Sequence, residues 1–448
     1  MKERLEPVLI FIAATFYYSL LSAFRYTWLF GSGDSGDWLA SAKVWFVPQP
    51  YGSPLYISVA KLVGLLPGNI EWNMTFWLSI IPTSLSIVLI YLAVKTLTNS
   101  IGLARVSALI MLGALVMTTQ AIVIEEYTFV LVMFCAALYA YSRNKHNWTV
   151  LFLGLASAVH ILAIPVVFIF FVAHYREWKY WIKKTPIYVI TGILPYGLIL
   201  YMMWADTPRW IAGSLSIDSI LSYMGATTVI GRISIIDTPE RLFMLACFSL
   251  VTFGLAIKPA FLLIKKDRTN PFYNALFLIA CFAIWLYATS RDHTTYTYLI
   301  YAVPCVVILA AIGLQRGYGN RVAVGLIATM MILVNGVVYD VARIDDANPV
   351  ATTLYNEAMS IPDGSYVVTA RGGFHTFGLM YAISRSKDLE LIFIDEVEKI
   401  EEKIEDAGAP VYMSVCYCPY ILEAEMDGAY ELEEYSKYFK KVVTAKSR

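Results

Sequence analysis

Charged residues are scarce in this chain: 34 Lys and Arg and 34 Asp and Glu among 448 residues, 15% of the total, against 58% hydrophobic. That balance excludes an ordinary soluble domain, where about a quarter of residues are charged. A cysteine framework is lacking too, with 6 cysteines in all. Cys135, Cys247, Cys281 and Cys305 lie inside apolar runs, where a thiol behaves as a small hydrophobe. Cys416 and Cys418 are separated by one residue, too close for an easy mutual disulfide and without partner ligands for zinc. No cleavable leader is evident: the first apolar run, from about Pro7 to Phe30, is too long and has no small-residue cleavage point. It reads as a retained first helix.

What the chain has instead is length of apolar sequence, with a mean hydropathy of +0.61. Apolar segments fall near residues 7–30, 73–95, 102–120, 127–142, 149–160, 162–175, 185–204, 241–264, 272–290, 295–314 and 321–342. About eleven membrane segments follow, so the fold class is a polytopic α-helical membrane protein. The fifth and sixth are each shorter than the ~20 residues of a full crossing. Arg143 and Lys145 precede that pair, and Arg176, Lys179, Lys183 and Lys184 follow it. Short basic loops stay cytoplasmic, so both flanks are inside and the pair is a hairpin.

The other loops sort by the same rule. Lys2, Arg4, Arg105, Lys265 to Arg268, Arg316 and Arg321 fall on the cytoplasmic side, together with the N-terminus. Asp34, Asp37, Glu125, Glu126, the stretch from Asp206 to Glu240, and Arg291 to His293 fall outside. Tyr26, Trp28, Trp77, Trp148 and Trp204, at the ends of runs, suit interfacial belts.

Composition changes near Ile344. Up to Arg343 there are 24 Lys and Arg against 15 Asp and Glu, and beyond it 10 against 19. The chain therefore reads as a membrane domain, 1–343, and an extracytoplasmic domain, 344–448. In the latter, Ser365 to Ala370, Leu389 to Ile394 and Pro410 to Val415 read as buried strands, with helices over Phe374 to Ser384 and Glu396 to Asp406. That is a small α/β domain with a parallel sheet, large enough for its own core. Its acid excess argues against nucleic acid as a partner. A role on the acceptor side, in glycan binding, stands beside a plain structural lid.

Ionised groups beside a bilayer are expensive unless solvated or paired, so their clustering at one face points to chemistry. Asp34, Asp37, Glu125, Glu126, Arg209, Arg232, Arg291 and His293 converge on the outer leaflet in this topology. His160 lies at the tip of the short hairpin, at membrane depth; a satisfied core histidine and a functional one are equally weighted there. Carboxylates with cations at a membrane face suit transfer from a lipid-phosphate sugar. A carboxylate acts as general base on the acceptor hydroxyl, and arginine or histidine neutralises the departing phosphate.

Asp34-Ser-Gly-Asp37 followed by Gln49-Pro-Tyr-Gly-Ser-Pro-Leu-Tyr56 resembles the first-loop signature, DSGE then HPPGYPLY, of a family of GT-C type membrane glycosyltransferases. Glu126-Tyr127, Gly154 to His160, Arg291 to Pro304 and Ser365 to Ile394 are similar to later motifs of the same family, in the same order. That family includes a eukaryotic protein O-mannosyltransferase. The resemblance implies a polyprenyl-phosphate (dolichyl-phosphate in eukaryotes) sugar donor, a protein or glycan acceptor on the outer face, and catalysis by the first-loop acid. Asp34 matches the leading aspartate, and Asp37 stands where the family has glutamate, one methylene shorter. Gln49 replaces the family's histidine, which removes a titrating imidazole there; Pro50, Gly52, Pro54 and Tyr56 complete the element that shapes the first loop.

The resulting expectation is an inverting hexosyltransferase, with mannose as the sugar the resemblance favours. Asp34 is the base, with Asp37 beside it. Glu126 and Glu125 orient the acceptor or hold a divalent cation, Mg²⁺ or Mn²⁺, although no ligand set establishes one. Arg291, with His160, His293 and Arg209, takes the donor phosphate. A secondary transporter or flippase of a lipid-linked sugar is the alternative; it calls for matching halves and a midplane site, and no such halves are visible. A third reading is a non-catalytic assembly or sensor subunit that works through the outer domain.

Overall fold

The structure, a computed structural model of the chain, describes residues 2–23, 38, 39, 42, 53–197, 253–289, 295–341, 356–369, 388–393, 410–414, 430–436 and 439–445. The chain divides into two units. The first comprises Met1–Tyr26, Gln49–Val59 and Pro67–Ile344, and the second Thr27–Pro48, Ala60–Leu66 and Asp345–Arg448.

The first unit is helical, and the apolar runs read from the sequence are helical over most of their described length, the 102–120 run being broken by an extended Ala114. Among the described residues, Leu5–Ala23, Ile70–Thr98 and Thr297–Gln315 are long and apolar enough to cross a bilayer. Shorter apolar helices include Ile101–Gly113, Tyr127–Ser142, Ala163–Ala173, Pro271–Tyr287 and Arg321–Val334. One helix was not anticipated: Pro54–Gly64 forms inside what reads as the first loop. Proline suits a first helical position because its missing N–H has no helical partner there anyway.

Side-chain placement fits hydrocarbon surroundings. On the first helix Ile12, Phe16 and Leu20, spaced four apart, are 56%, 68% and 44% exposed. A stripe of that kind is costly in water and costs nothing against lipid tails. The Ala302–Gln315 helix lies at the opposite extreme, buried from Ala302 to Leu314. It packs against Ile257–Lys266, Pro271–Thr289 and Ile101–Gly113.

Between lipid-embedded helices there is little hydrophobic drive, so close packing over small residues carries the association. Gly154, in the His146–Val159 helix, meets Thr191 and Gly192 so closely that a Cβ there would overlap the Thr191 hydroxyl. The crossing coincides with a π-helical turn, Val189–Ile193. Hydrogen bonds fix it: the Tyr196 hydroxyl donates to the Ser157 carbonyl at 2.7 Å, and the Ser157 and Tyr188 hydroxyls lie 3.0 Å apart.

Groups that the charge rule assigned to one side meet in pairs. Arg105 binds Glu6 at 2.5 Å and Arg316 binds Asp267 at 3.1 Å, while the Gln315 amide donates to the Thr98 carbonyl at 2.7 Å. Burial works against the Arg316 charge, but Asp267, Tyr273 and Tyr318 together outweigh it and the guanidinium is held above its usual range. Nearby, the Tyr141 ring stacks on Phe272 at 4.4 Å. His174 Nδ1 lies 2.8 Å from the Phe170 carbonyl, which can only accept, so the proton sits on Nδ1. The Tyr141 hydroxyl therefore donates to His174 Nε2, at 2.9 Å.

The second unit holds a five-stranded sheet: β1 (Ser365–Thr369), β2 (Leu389–Phe393), β3 (Val411–Ser414), β4 (Tyr430–Glu434) and β5 (Phe439–Ala445), in the order β2-β1-β3-β5-β4. β1 pairs in parallel with β2 and β3, where the apolar runs placed those strands. The expectation of a parallel sheet needs correction, because β5 pairs antiparallel with both β3 and β4. Cross-strand Glu433↔Lys441 and Glu434↔Lys440 put opposite charges directly opposite one another, which favours that register. Gly364, at φ +77, turns the chain into β1 in a conformation other residues resist. The expected helices Phe374 to Ser384 and Glu396 to Asp406 lie outside the described residues.

Candidate functional site

Two acidic residues end a short connection after the Leu115–Gln120 helix. Glu126 caps the Tyr127–Ser142 helix, and its carbonyl accepts from Val130 at 2.9 Å. A carboxylate is favoured at that end of a helix by the backbone dipole. Two hydrogen bonds hold the connection: Ser79 Oγ donates to the Val123 carbonyl at 2.5 Å, and Thr128 Oγ1 donates to the Leu78 carbonyl at 2.8 Å. Leu78 and Ser79 belong to a π-helical turn, Thr75–Ile80, that interrupts the Ile70–Thr98 helix. Such turns leave backbone groups open to other partners and concentrate at functional sites.

Opposite Glu126 stands the tip of the hairpin. The His146–Val159 helix ends at His160, which is extended at φ −149 and ψ 132, and the Ala163–Ala173 helix begins three residues later. Pro165 falls in the first turn of that second helix, where it is tolerated and helps to set the start. The Leu162 amide donates to His160 Nδ1 at 3.1 Å, so that nitrogen carries no proton. In the neutral ring the proton is then on Nε2, which faces Glu126 Oε1 at 3.4 Å. Both side chains are buried, 0% exposed for His160 and 2% for Glu126. A carboxylate so far from water persists only with partners, and the imidazole Nε2, 3.4 Å away, is one of its polar neighbours.

Aromatic rings close around the pair. Tyr127 lies over His160 with ring centroids 5.0 Å apart, and Tyr298 meets Tyr127 edge-on at 6.2 Å. Ile161, Leu162, Leu286 and Tyr298 form an apolar cluster against the hairpin tip, with Tyr127 and Phe282 packed on it. The late Thr295–Tyr301 segment is thereby brought to His160. The Glu126 carboxylate is within electrostatic reach of the Tyr56, Tyr196 and Tyr301 hydroxyls, and Tyr56 feels Glu125 as well. Tyr56 is fully buried and packs edge-on against Phe129 at 6.1 Å. Pro54 opens the helix that carries Tyr56, after Ser53 in the left-handed region at φ 52.

The structure thus gathers Glu125, Glu126, His160 and Tyr56 from the residues singled out in the sequence. Asp34, Asp37, Gln49, Pro50, Gly52, Arg209, Arg291 and His293 lie outside the described residues. Among the described residues no three His, Cys, Asp or Glu side chains gather in a way that could hold a metal ion. Tyr196, Tyr298 and Tyr301 were not foreseen as site residues. Their only signal in the sequence is a hydroxyl set in an apolar run, and hydroxyls buried that deeply need partners.

The arrangement offers a buried acid, a neutral imidazole that orients it, and a wall of tyrosine hydroxyls. Chemically it can align a hydroxyl nucleophile or steady a developing charge where water is excluded.

In sequence the chain matches no protein-family model and no curated protein. In fold it is similar to ArnT from Cupriavidus metallidurans. The crystal structure of ArnT bound to undecaprenyl phosphate aligns with a TM-score of 0.58 at 11% identity, covering 86% of this chain and 86% of that one. The apo state gives 0.56 at 11% identity, over 88% and 87%. The chain therefore shares the fold of ArnT over most of its length.

Proposed function

We propose that this chain is a multi-pass membrane glycosyltransferase that moves a hexose from a polyprenyl-phosphate donor to a hydroxyl of an extracytoplasmic protein or glycan. The observation that carries the reading is a fold shared, over most of both chains, with a GT-C glycosyltransferase crystallised on undecaprenyl phosphate. The buried Glu126 and His160 pair agrees with it, since a structural helix cap does not need an imidazole at bilayer depth.

In this reading Asp34 is the base that takes the acceptor proton as the hydroxyl attacks the anomeric carbon, with inversion. Asp37, Glu125 and Glu126 orient the acceptor. His160 holds the Glu126 carboxylate in one direction, and a contact with the donor phosphate is its second role in this reading. Arg291, with Arg209 and His293, receives the departing lipid phosphate. Carboxylates are the hard oxygen ligands that Mg²⁺ or Mn²⁺ prefers, so the acidic set is also where a divalent ion would bind. Mannose is the first sugar to test. The N-terminus is assigned to the cytoplasm and the 344–448 domain to the outside.

The test is a transfer assay with purified protein, labelled polyprenyl-phosphate sugars and an outer-surface extract. Wild-type protein is expected to move label to a protease-sensitive or glycan product, and Asp34→Asn protein that folds normally is expected to lose that activity. Full activity in Asp34→Asn would remove the assigned base. Intact donor carried across a vesicle membrane, with no label transferred, would select the flippase alternative.

A further inference from the structure

We infer that the first unit carries a binding site for an anionic phospholipid, in a groove bounded by the Ala163–Ala173, Ile257–Lys266 and Pro271–Thr289 helices. The groove holds about 650 Å³ and is walled by Val172, Phe261, Phe277 and Leu278, with Lys265 and Arg268 also lining it. That volume is in the roughly 300–1,000 Å³ range of ligand sites. Its wall is hydrocarbon, so an acyl chain suits it; its two cations suit a phosphate.

Charge complementarity decides for an anion. The carboxylates nearest along the chain are turned elsewhere: Asp267 binds Arg316 at 3.1 Å, and Glu177 accepts from the Trp181 indole at 3.3 Å. A third cation stands close by, because Arg176 donates to the hydroxyl of Tyr175, another lining residue, at 3.1 Å. The same construction recurs in a groove of about 370 Å³, where Arg143 and Lys145 accompany Leu89, Ala136 and Phe152. The Tyr141 and Phe272 stack links the helices that border the two grooves. Neither groove is lined by any residue of the Glu126 and His160 cluster. The inference rests on membrane insertion and not on the transferase reading, so a protein inert toward every sugar donor would leave it standing.

The experiment is native mass spectrometry of the full chain released from detergent, titrated separately with phosphatidylglycerol, with phosphatidylcholine of identical acyl chains and with polyprenyl phosphate. Wild type is expected to retain phosphatidylglycerol preferentially. A cation near an anionic headgroup contributes about fivefold in affinity, so Lys265→Gln with Arg268→Gln is expected to weaken that binding on the order of twentyfold. Leu278→Trp, which fills the groove and keeps both cations, is expected to weaken it as well, and Lys265→Arg to preserve it. Equal retention of the two lipids by wild type overturns the site. So does an equal loss from Lys179→Gln with Lys184→Gln, which alters two cations that line neither groove. Retention of polyprenyl phosphate alone overturns the phospholipid assignment.

Discussion

Glu126 and His160 place opposite demands on the fold, and single substitutions separate them. His160→Ala removes the imidazole from beside a buried carboxylate, so a loss of about 1–3 kcal/mol is expected, read as a lower Tm. Glu126→Gln removes the charge itself and should fold nearly as well as wild type, while transfer falls roughly 100-fold, the scale set by a misplaced reactant. Equal stability losses from both would contradict the pairing. A second residue supplies a pH test outside the apolar spans. Burial, reinforced by Lys184, holds His146 below the usual 6.5 of histidine, so the unfolded chain takes up the proton first. The stability His146 confers is thus full above about pH 6.5 and is lost as pH falls below it. Thermal melts at pH 7.5 and 5.5 should show a smaller acid-induced drop in His146→Gln than in wild type. Glu126 was visible in the sequence as an acid in a short outer loop, and His160 as a lone histidine among apolar residues. The tyrosines around them were not, since a hydroxyl in an apolar run has no periodic or charge signature until tertiary contacts bury it.

Among elements, the hairpin is where local chemistry and tertiary packing agree. The shortness of the two runs and the basic residues on both flanks made two short helices legible before any contact was known. The crossing at Gly154 was not legible, because a single glycine in a helix says nothing of what approaches it. Gly154→Val is expected to cost about 1–3 kcal/mol by driving Thr191 and Gly192 away, and to shift His160 relative to Glu126. A Tm unchanged from wild type would show that the two helices separate freely. The Pro54–Gly64 helix escaped notice because its sequence reads first as a loop motif, although Pro54 is a helix-start signal. β4 escaped for a related reason. Tyr430-Glu-Leu-Glu-Glu alternates as a strand does, yet its acid content suggests a solvated tail. Those same glutamates suit an edge strand, where charge discourages pairing with another chain. Lys440→Glu with Lys441→Glu should therefore destabilise the second unit by placing like charges opposite Glu434 and Glu433, and urea unfolding of the full chain would register it as an earlier transition.

For the whole molecule, composition and loop charge were enough to indicate a polytopic membrane protein, and the order of weak motifs pointed to one class of transferase. Hydropathy could not reveal which buried groups meet, because contacts such as Glu126 with His160 join segments far apart along the chain. Within the first loop, residues 54–59 fall in the first unit and Ala60–Leu66 in the second. A first loop divided between units is hard to read from local sequence, which records the strength of a segment's own preferences and not its partners. The most direct measurement of the proposed reaction is donor turnover by purified protein in liposomes, with polyprenyl-phosphate mannose and other polyprenyl-phosphate hexoses offered separately. Release of polyprenyl phosphate from one of these donors, faster with an acceptor extract and abolished by Asp34→Asn, is the expected result. Failure to consume any of them, in a preparation whose fold is intact by thermal melt, would contradict the proposed transferase.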